Sequence, residues 1–347
     1  MGHPMRSPPR APTTDTIDTD RLIAGVRAGD RRALAKAITL AESTRADHQA
    51  LAQAVMAAVL PATGQAIRMG ISGAPGAGKS TFIEALGLHL VGQGHRIAVL
   101  AIDPSSSVSG GSILGDKTRM EELSRHPHAF IRPSPASGAL GGVAAHTREA
   151  MLLCEAAGFD IVIVETVGVG QSETDVANMT DVFVLLQLPN AGDDLQAIKK
   201  GIVELADIIA YNKIDLDAVA AERAMGQMQS ALTLLRPASP AWRTPVVGVS
   251  ALRGDGIEPF WSEVRRCRDA LVASGELTAK RQRQALAWTW SLIDAGLRER
   301  FRHHAGVRDA LPAILGQVAA GSLTPTAAAA RLLAVAQSRK EEGSHRA

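Results

Sequence analysis

Cysteine is almost absent from this chain. Its two copies among 347 residues, Cys154 and Cys267, stand in separate segments without other metal-ligating side chains clustered around them. A disulfide framework therefore has no support, and a reducing cytoplasm is the expected compartment. Long apolar runs are missing too: the stretch from Leu51 to Leu60 falls short of the ~18 residues a membrane span needs and reads as one face of a helix. Neither charge sign dominates, since 37 basic against 35 acidic residues leave a net charge of +2. That balance offers no polyanion-binding face, so nucleic acid is not an expected partner. Met1 to Thr19 hold Pro4, Pro8, Pro9 and Pro12 among polar neighbours. They lack the apolar centre of a secretory signal, and residues 1–20 are expected to form a disordered leader. What the chain does have is 46% hydrophobic residues and the length of about two domains, enough for a sizeable core.

The chemistry starts at Gly73. Gly73-Ala74-Pro75-Gly76-Ala77-Gly78-Lys79-Ser80-Thr81 fits G-x-x-x-x-G-K-[ST], with Ile67, Met69 and Ile71 alternating before it and a helical pattern from Phe82 to Leu86 after it. In that strand, loop and helix setting, small residues let backbone N–H groups turn toward phosphate oxygens at the positive end of the helix. Lys79 is expected to reach the terminal phosphates and the Ser80 hydroxyl to bind magnesium. A phosphate loop alone specifies only a nucleoside triphosphate. Asn212-Lys213-Ile214-Asp215, at the carboxyl end of a buried-strand pattern from Leu205 to Tyr211, narrows the choice. Asp215 can accept from two N–H donors on the guanine edge, a pair adenine lacks. Ser250-Ala251-Leu252 ends another strand-like run, Val246 to Val249, and is placed to back the guanine carbonyl with a main-chain N–H. An isolated Asn-Lys-Ile-Asp is more often a plain turn, but three pieces in this order argue for a guanine nucleotide.

Around these motifs the chain alternates. From Arg21 to Leu60 the pattern is helical, with Asp30 an N-cap for Arg31 to Leu40 and Pro61 closing the segment. Between Ile67 and about Ser274, strand-like runs (Ile97 to Ile102, Phe130 to Ile131, Ile161 to Glu165, Val182 to Leu188) are interleaved with helical ones. That argues an α/β fold with a mostly parallel sheet, a P-loop NTPase G domain. From Thr278 onward strands stop. Leu286, Trp290, Ile293, Leu297 and Phe301 fall on one helical face as core or dimer seam, and Thr324 and Pro325 open a last helix to Ala336. The expected division is a helical extension over 21–61, a GTPase domain over 62–275 and a C-terminal helical arm over 276–347.

Several acids are candidates for metal and water. Asp103 follows the strand run Ile97 to Ile102, and Asp116 lies beyond the glycine-rich polar loop containing Gly110 and Gly111; each could reach magnesium directly or through water. The plainer reading, that each caps a helix, stays open. Glu165 ends the buried run Ile161 to Val164 and is the strongest carboxylate candidate, for metal-bound water or for orienting the attacking water. The Gly168 N–H is placed to sense the γ-phosphate, and Gln171 lies just past that turn.

Asp103 to Ser106, Gly110 to Met120, Ile131 to Pro135, Glu165 to Glu173 and Asp193 to Gly201 resemble the MeaB/ArgK/MMAA family, GTPase chaperones of adenosylcobalamin-dependent acyl-CoA mutases typified by the methylmalonyl-CoA mutase accessory protein. The resemblance runs from about Arg21 to Ala336. It implies a homodimer built partly through the C-terminal arm, and slow GTP hydrolysis, with Mg²⁺, that the mutase accelerates. It also implies a role in gating cofactor delivery and protecting or reactivating the mutase, whose adenosyltransferase is a second candidate partner. It assigns a partner-responsive switch to Leu188 through Gly201, including Asn190, Asp193, Gln196, Lys199 and Lys200. The family's usual form has glycine at Asn190, a substitution that leaves the turn possible but stiffer. No cobalamin-binding signature is present, so contact with that cofactor is expected only in the complex.

Two other readings share the phosphate loop. A small-molecule phosphotransferase needs an acceptor pocket with its own base. A nickel-insertion GTPase needs clustered Cys and His ligands, whereas His126 with His128, and His303 with His304, lack nearby cysteine.

Overall fold

The computed structural model describes residues 17–103, 120–135, 143–166, 172–189, 200–235 and 239–337. Its centre is one sheet of seven strands in the order β3-β2-β4-β1-β5-β6-β7, and every pairing is parallel. The strands are β1 (Ile67–Gly73), β2 (Ile97–Asp103), β3 (Ala129–Pro135), β4 (Ile161–Thr166), β5 (Val182–Gln187), β6 (Ile208–Tyr211) and β7 (Val246–Gly248). β4 and β5 are buried along their whole length, because helices cover both faces of a parallel sheet; the sequence there reads as unbroken apolar runs. Alternation survives inside those runs as a sorting of faces. Ile97, Val99, Ile161, Ile163, Val182 and Val184 enter one core with Phe82, Leu86, Phe260 and Trp261. Ala98, Leu100, Val162, Val164, Phe183 and Leu185 enter the other with Leu22, Val26, Leu34 and Ile38.

The N-terminal helices, α1 (Thr19–Arg27), α2 (Arg31–Ala41) and α3 (Ala46–Val59), thus belong to the packing of the sheet itself. Asp18 accepts from Arg21 N at 3.0 Å and Asp30 from Ala33 N at 2.7 Å, N-caps each worth about 1 kcal/mol. The first cap starts α1 two residues ahead of the expected helical boundary at Arg21. β6 differs from its sequence pattern in the other direction. A short helix runs over Lys200–Leu205 and the strand begins only at Ile208, because the Asp207 carboxylate turns back to accept from Phe183 N at 2.8 Å. β3 extends to Pro135, beyond the Phe130 to Ile131 run.

A 28-residue helix, Glu276–His303, opens the C-terminal segment, followed by helices Ala305–Ala319 and Pro325–Gln337. Its first turns are fastened to the amino ends of the strands. Arg281 Nε and Nη2 donate to Asp181 at 2.8 and 2.7 Å, Nη2 also reaches Ala66 O at 2.8 Å, and Nη1 reaches Gly64 O. Lys280 Nζ donates to Asp181 O at 2.7 Å and Gln284 Nε2 to Thr180 O at 2.9 Å. Further along, Leu286, Trp290, Ile293 and Leu297 are 64%, 66%, 42% and 57% exposed, so within the chain that stripe is not core. Among the described residues no helix is long and apolar enough to cross a membrane.

Candidate nucleotide site

After β1 the chain moves to one side of the sheet, through β2, β3 and β4; it then crosses to the other side for β5, β6 and β7. The carboxyl end of β1 is therefore a topological switch point, where open α/β sheets form a ligand crevice. The phosphate loop leaves β1 there. A Cβ on Gly73 would stand 2.3 Å from Leu186 O, so only glycine lets the loop pass this close to the β5 backbone. Gly78, at φ 84°, caps the helix Lys79–Gly92, and its Cβ would meet Asn212 Nδ2 at 2.7 Å. Ala74, Pro75 and Gly76 form the exposed tip, Ala77 is buried and Thr81 faces outward.

Lys79 Nζ donates to Gly73 O at 2.7 Å and to Ala74 O at 3.2 Å. Burial pushes its ammonium pKa down, and the carboxylates of Glu165 and Glu173 oppose that shift. Ser80 Oγ donates to Glu165 Oε1 at 3.2 Å, joining the first turn of the loop's helix to the β4 residue level with Ile71 of β1. Asp103 ends β2, one residue beyond the pairing of Ile102 with Thr166. Two facing hard oxygen donors, a hydroxyl and a carboxylate, suit a cation such as Mg²⁺ better than a soft metal. Among the described residues no three His, Cys, Asp or Glu side chains group as a metal site.

The base-side motif is built around Asn212, 1% exposed. Its Nδ2 donates to Ala77 O at 2.9 Å, and its Oδ1 accepts from Ala251 N at 3.0 Å and Lys213 N at 2.8 Å. One carboxamide thus holds the phosphate loop, the Asn212 turn and the Ser250 turn together. Lys213, a non-glycine residue at positive φ (62°), turns its side chain so that Nζ donates to Gly76 O at 2.9 Å. Asp215 stands 3.5 Å from Arg253 Nε; a hydrogen bond with Ser250, helped by Arg253, lowers its carboxyl pKa and keeps it an anion. Ser250 is buried, while the Leu252 side chain is 84% exposed, so what Leu252 can offer a base is its main chain.

The structure therefore brings together Gly73 to Ser80, Glu165, Asn212, Lys213, Asp215, Ser250 and Ala251. Asp116, Gly168, Gln171, Asn190, Asp193, Gln196 and Lys199 lie outside the described residues, as does most of the expected leader. Lys200 begins its helix. Sequence reasoning gave no role to Ser72, Thr166 and Glu173, three buried polar residues that meet beside the start of the loop; no sequence signal marked them as neighbours.

Comparison with known proteins carries these observations further. A family model described as methylmalonyl Co-A mutase-associated GTPase MeaB matches residues 34–305. The methylmalonic aciduria type A homolog of Mus musculus, a mitochondrial protein, is 49% identical over 331 residues, covering 92% of this chain and 80% of that one. GTPase ArgK of Escherichia coli is 52% identical over 269 residues, covering 77% and 81%. Among solved structures, one titled LAO/AO transport system kinase superposes with a TM-score of 0.73 at 38% identity, over 91% of this chain and 96% of its own. A phosphate loop and guanine motif joined through Asn212, a family match over most of the chain and relatives named as GTPases agree: the chain is a guanine-nucleotide-binding GTPase belonging to the MeaB family.

Proposed function

We propose that this GTPase is a chaperone of an adenosylcobalamin-dependent acyl-CoA mutase, methylmalonyl-CoA mutase in the first instance, and that its nucleotide state gates cofactor delivery and protects or reactivates the mutase. The observation that carries the client is the family match over residues 34–305, whose description names association with that mutase. In the reaction, Lys79 neutralises charge developing on the transferred phosphoryl group, which requires it to leave the Gly73 and Ala74 carbonyls for the phosphates. Ser80 and Glu165 are the groups that would hold Mg²⁺, with Asp103 and Asp116 as further candidates; bound there, the ion supplies positive charge to the phosphate oxygens. Glu165 also orients the attacking water, Gly168 offers an N–H to the γ-phosphate, and Asp215 selects guanine. Asn190, Asp193, Gln196, Lys199 and Lys200 belong to the segment that answers the partner.

The exposed stripe Leu286, Trp290, Ile293 and Leu297 supports a homodimer through the C-terminal arm, and two free buried cysteines accord with a reducing cytoplasm. The test is GTP turnover by the purified chain, alone and with each candidate mutase, read as phosphate release at fixed magnesium. Acceleration by one mutase well beyond the others is the expected result. GTP binding with no acceleration by any of them removes the chaperone reading and turns attention to metallocentre clients; phosphate appearing on an acceptor instead of in solution revives a phosphotransferase.

A further inference from the structure

Three polar side chains with no role above close the floor of the phosphate loop. Thr166 Oγ1 donates to Ser72 Oγ at 2.9 Å, and Ser72 Oγ donates to Glu173 Oε1 at 3.2 Å. Ser72 and Thr166 are fully buried and Glu173 is 9% exposed. Their places in the chain give this relay its meaning. Ser72 immediately precedes Gly73, where the phosphate loop starts; Thr166 immediately follows Glu165; Glu173 lies in the first turn of the helix Ser172–Ala177. Ile71 of β1 is level with Glu165 of β4, so the two hydroxyls meet across neighbouring parallel strands. Two hydroxyls donating in one direction need an acceptor at the end, and a carboxylate, having no proton to offer, fixes that direction. Its charge also acts on Lys79, where it opposes the effect of burial together with Glu165.

We propose that Glu173 is a positioning residue for GTP hydrolysis: through Ser72 and Thr166 it sets the end of β1, which launches the phosphate loop and Lys79, against the end of β4, which carries Glu165. The inference rests on reading Lys79 and Glu165 as the phosphate-binding and water-orienting groups. Nucleotide affinity is spread over loop N–H groups, Lys79 and the base contacts, and tolerates a small shift of one strand end. The placement of Lys79 relative to Glu165 matters most when charge moves in the transition state, so the relay acts on kcat more than on binding. Loss of one buried hydrogen bond of this kind corresponds to about a tenfold change in rate.

The experiment measures phosphate release against GTP concentration at fixed magnesium for the full chain and for Glu173→Ala, Glu173→Gln, Ser72→Ala and Lys79→Ala, with equilibrium GTP binding alongside. Glu173→Ala and Ser72→Ala are expected to lower kcat about tenfold with KM within about threefold. Glu173→Gln, whose amide oxygen still accepts from Ser72, recovers most of the loss. Unchanged kcat in Glu173→Ala, a raised KM at constant kcat, or a glutamine variant as poor as the alanine one each overturn the inference. If Glu173→Ala does not fold, Ser72→Ala, which deletes a single oxygen, carries the same expectation. Near-normal GTP binding by Lys79→Ala sinks the underlying site assignment as well. Lost binding in that variant, beside silent Glu173→Ala and Ser72→Ala, sinks the positioning role alone.

Discussion

Asn212→Ala strikes the residue on which both halves of the nucleotide site hang. The side chain is 1% exposed and makes three hydrogen bonds, to Ala77 O, Ala251 N and Lys213 N. Lys213 is partly exposed, and its N–H can turn to water. Ala77 O and Ala251 N lie in buried residues, and each is left without its Asn212 partner at roughly 1–3 kcal/mol. The total is about 2–6 kcal/mol, divided between the fold and the bound state. If half falls on binding, GTP affinity drops by roughly 5- to 150-fold. Equilibrium titration with a fluorescent guanine nucleotide, in parallel with thermal denaturation, separates the two shares. Asn212→Asp sharpens the test. An Asp oxygen still accepts from Ala251 N and Lys213 N, but a carboxylate oxygen replaces the Nδ2–H that faced Ala77 O. Oxygen against oxygen raises the pKa of the introduced acid, and its protonated form can donate again. Binding by this variant therefore improves as pH falls through that raised pKa and is lost as pH rises, while the alanine variant shows no such step. GTP affinity within twofold of the unmodified chain in Asn212→Ala, together with undiminished thermal stability, refutes the argument.

Asp215→Asn exchanges an acceptor for a donor at the base edge, so GTP binding weakens and xanthosine triphosphate binding strengthens; competition titration showing an unchanged base preference contradicts the assignment of Asp215. Trp290→Glu with Leu286→Glu is expected to leave thermal stability near that of the parent, both side chains being about two-thirds exposed, and to shift sedimentation from dimer to monomer. A parent chain that already sediments as a monomer at micromolar concentration ends the dimer reading. At Asp207, burial raises the carboxyl pKa more than Lys280 and the Phe183 N–H lower it. Its contribution is therefore fully present below an unfolded-state pKa of about 3.9 and is lost as pH rises through the folded-state pKa. The unfolding free energy of the parent minus that of Asp207→Asn should decline over that window, and urea titrations at several pH values showing a flat or rising difference exclude it.

Legibility in the sequence followed the distance over which the deciding contact is made. Gly78 is required by a positive φ and by Asn212 pressing against it, yet its place in Gly-Lys-Ser is a local pattern, readable because loop, strand and helix are adjacent in the chain. Asp30 and its cap to Ala33 are three residues apart and were equally plain. The beginning of β6 was not, because the apolar run from Leu205 gives no sign that Asp207 turns back to Phe183 N, 24 residues away. The relay beneath the phosphate loop joins Ser72 to residues 94 and 101 positions distant; no periodicity or composition marks three polar residues as neighbours when the sheet order is what brings them together.

The arm shows the same division within one helix. Its helical period identified the face bearing Leu286, Trp290, Ile293 and Leu297, since that depends only on spacing. It could not say that Lys280 and Arg281, one turn earlier, anchor the helix to Asp181 and Asp207 at the amino ends of β5 and β6. The carboxyl ends of those two strands carry Leu186, against Gly73, and Tyr211, next to Asn212. Arm and nucleotide therefore hold opposite ends of the same two hydrogen-bonded strands, paired from Val184 with Ile208 to Gln187 with Tyr211. Both strands are buried along their whole length, and close-packed interiors transmit strain between neighbours. Arg281 also donates to Ala66 O and Gly64 O just ahead of β1, and Asp181 accepts from Arg68 N within it, so the arm is joined to the nucleotide site through β1, the strand that carries Ser72 of the relay, as well as through β5 and β6.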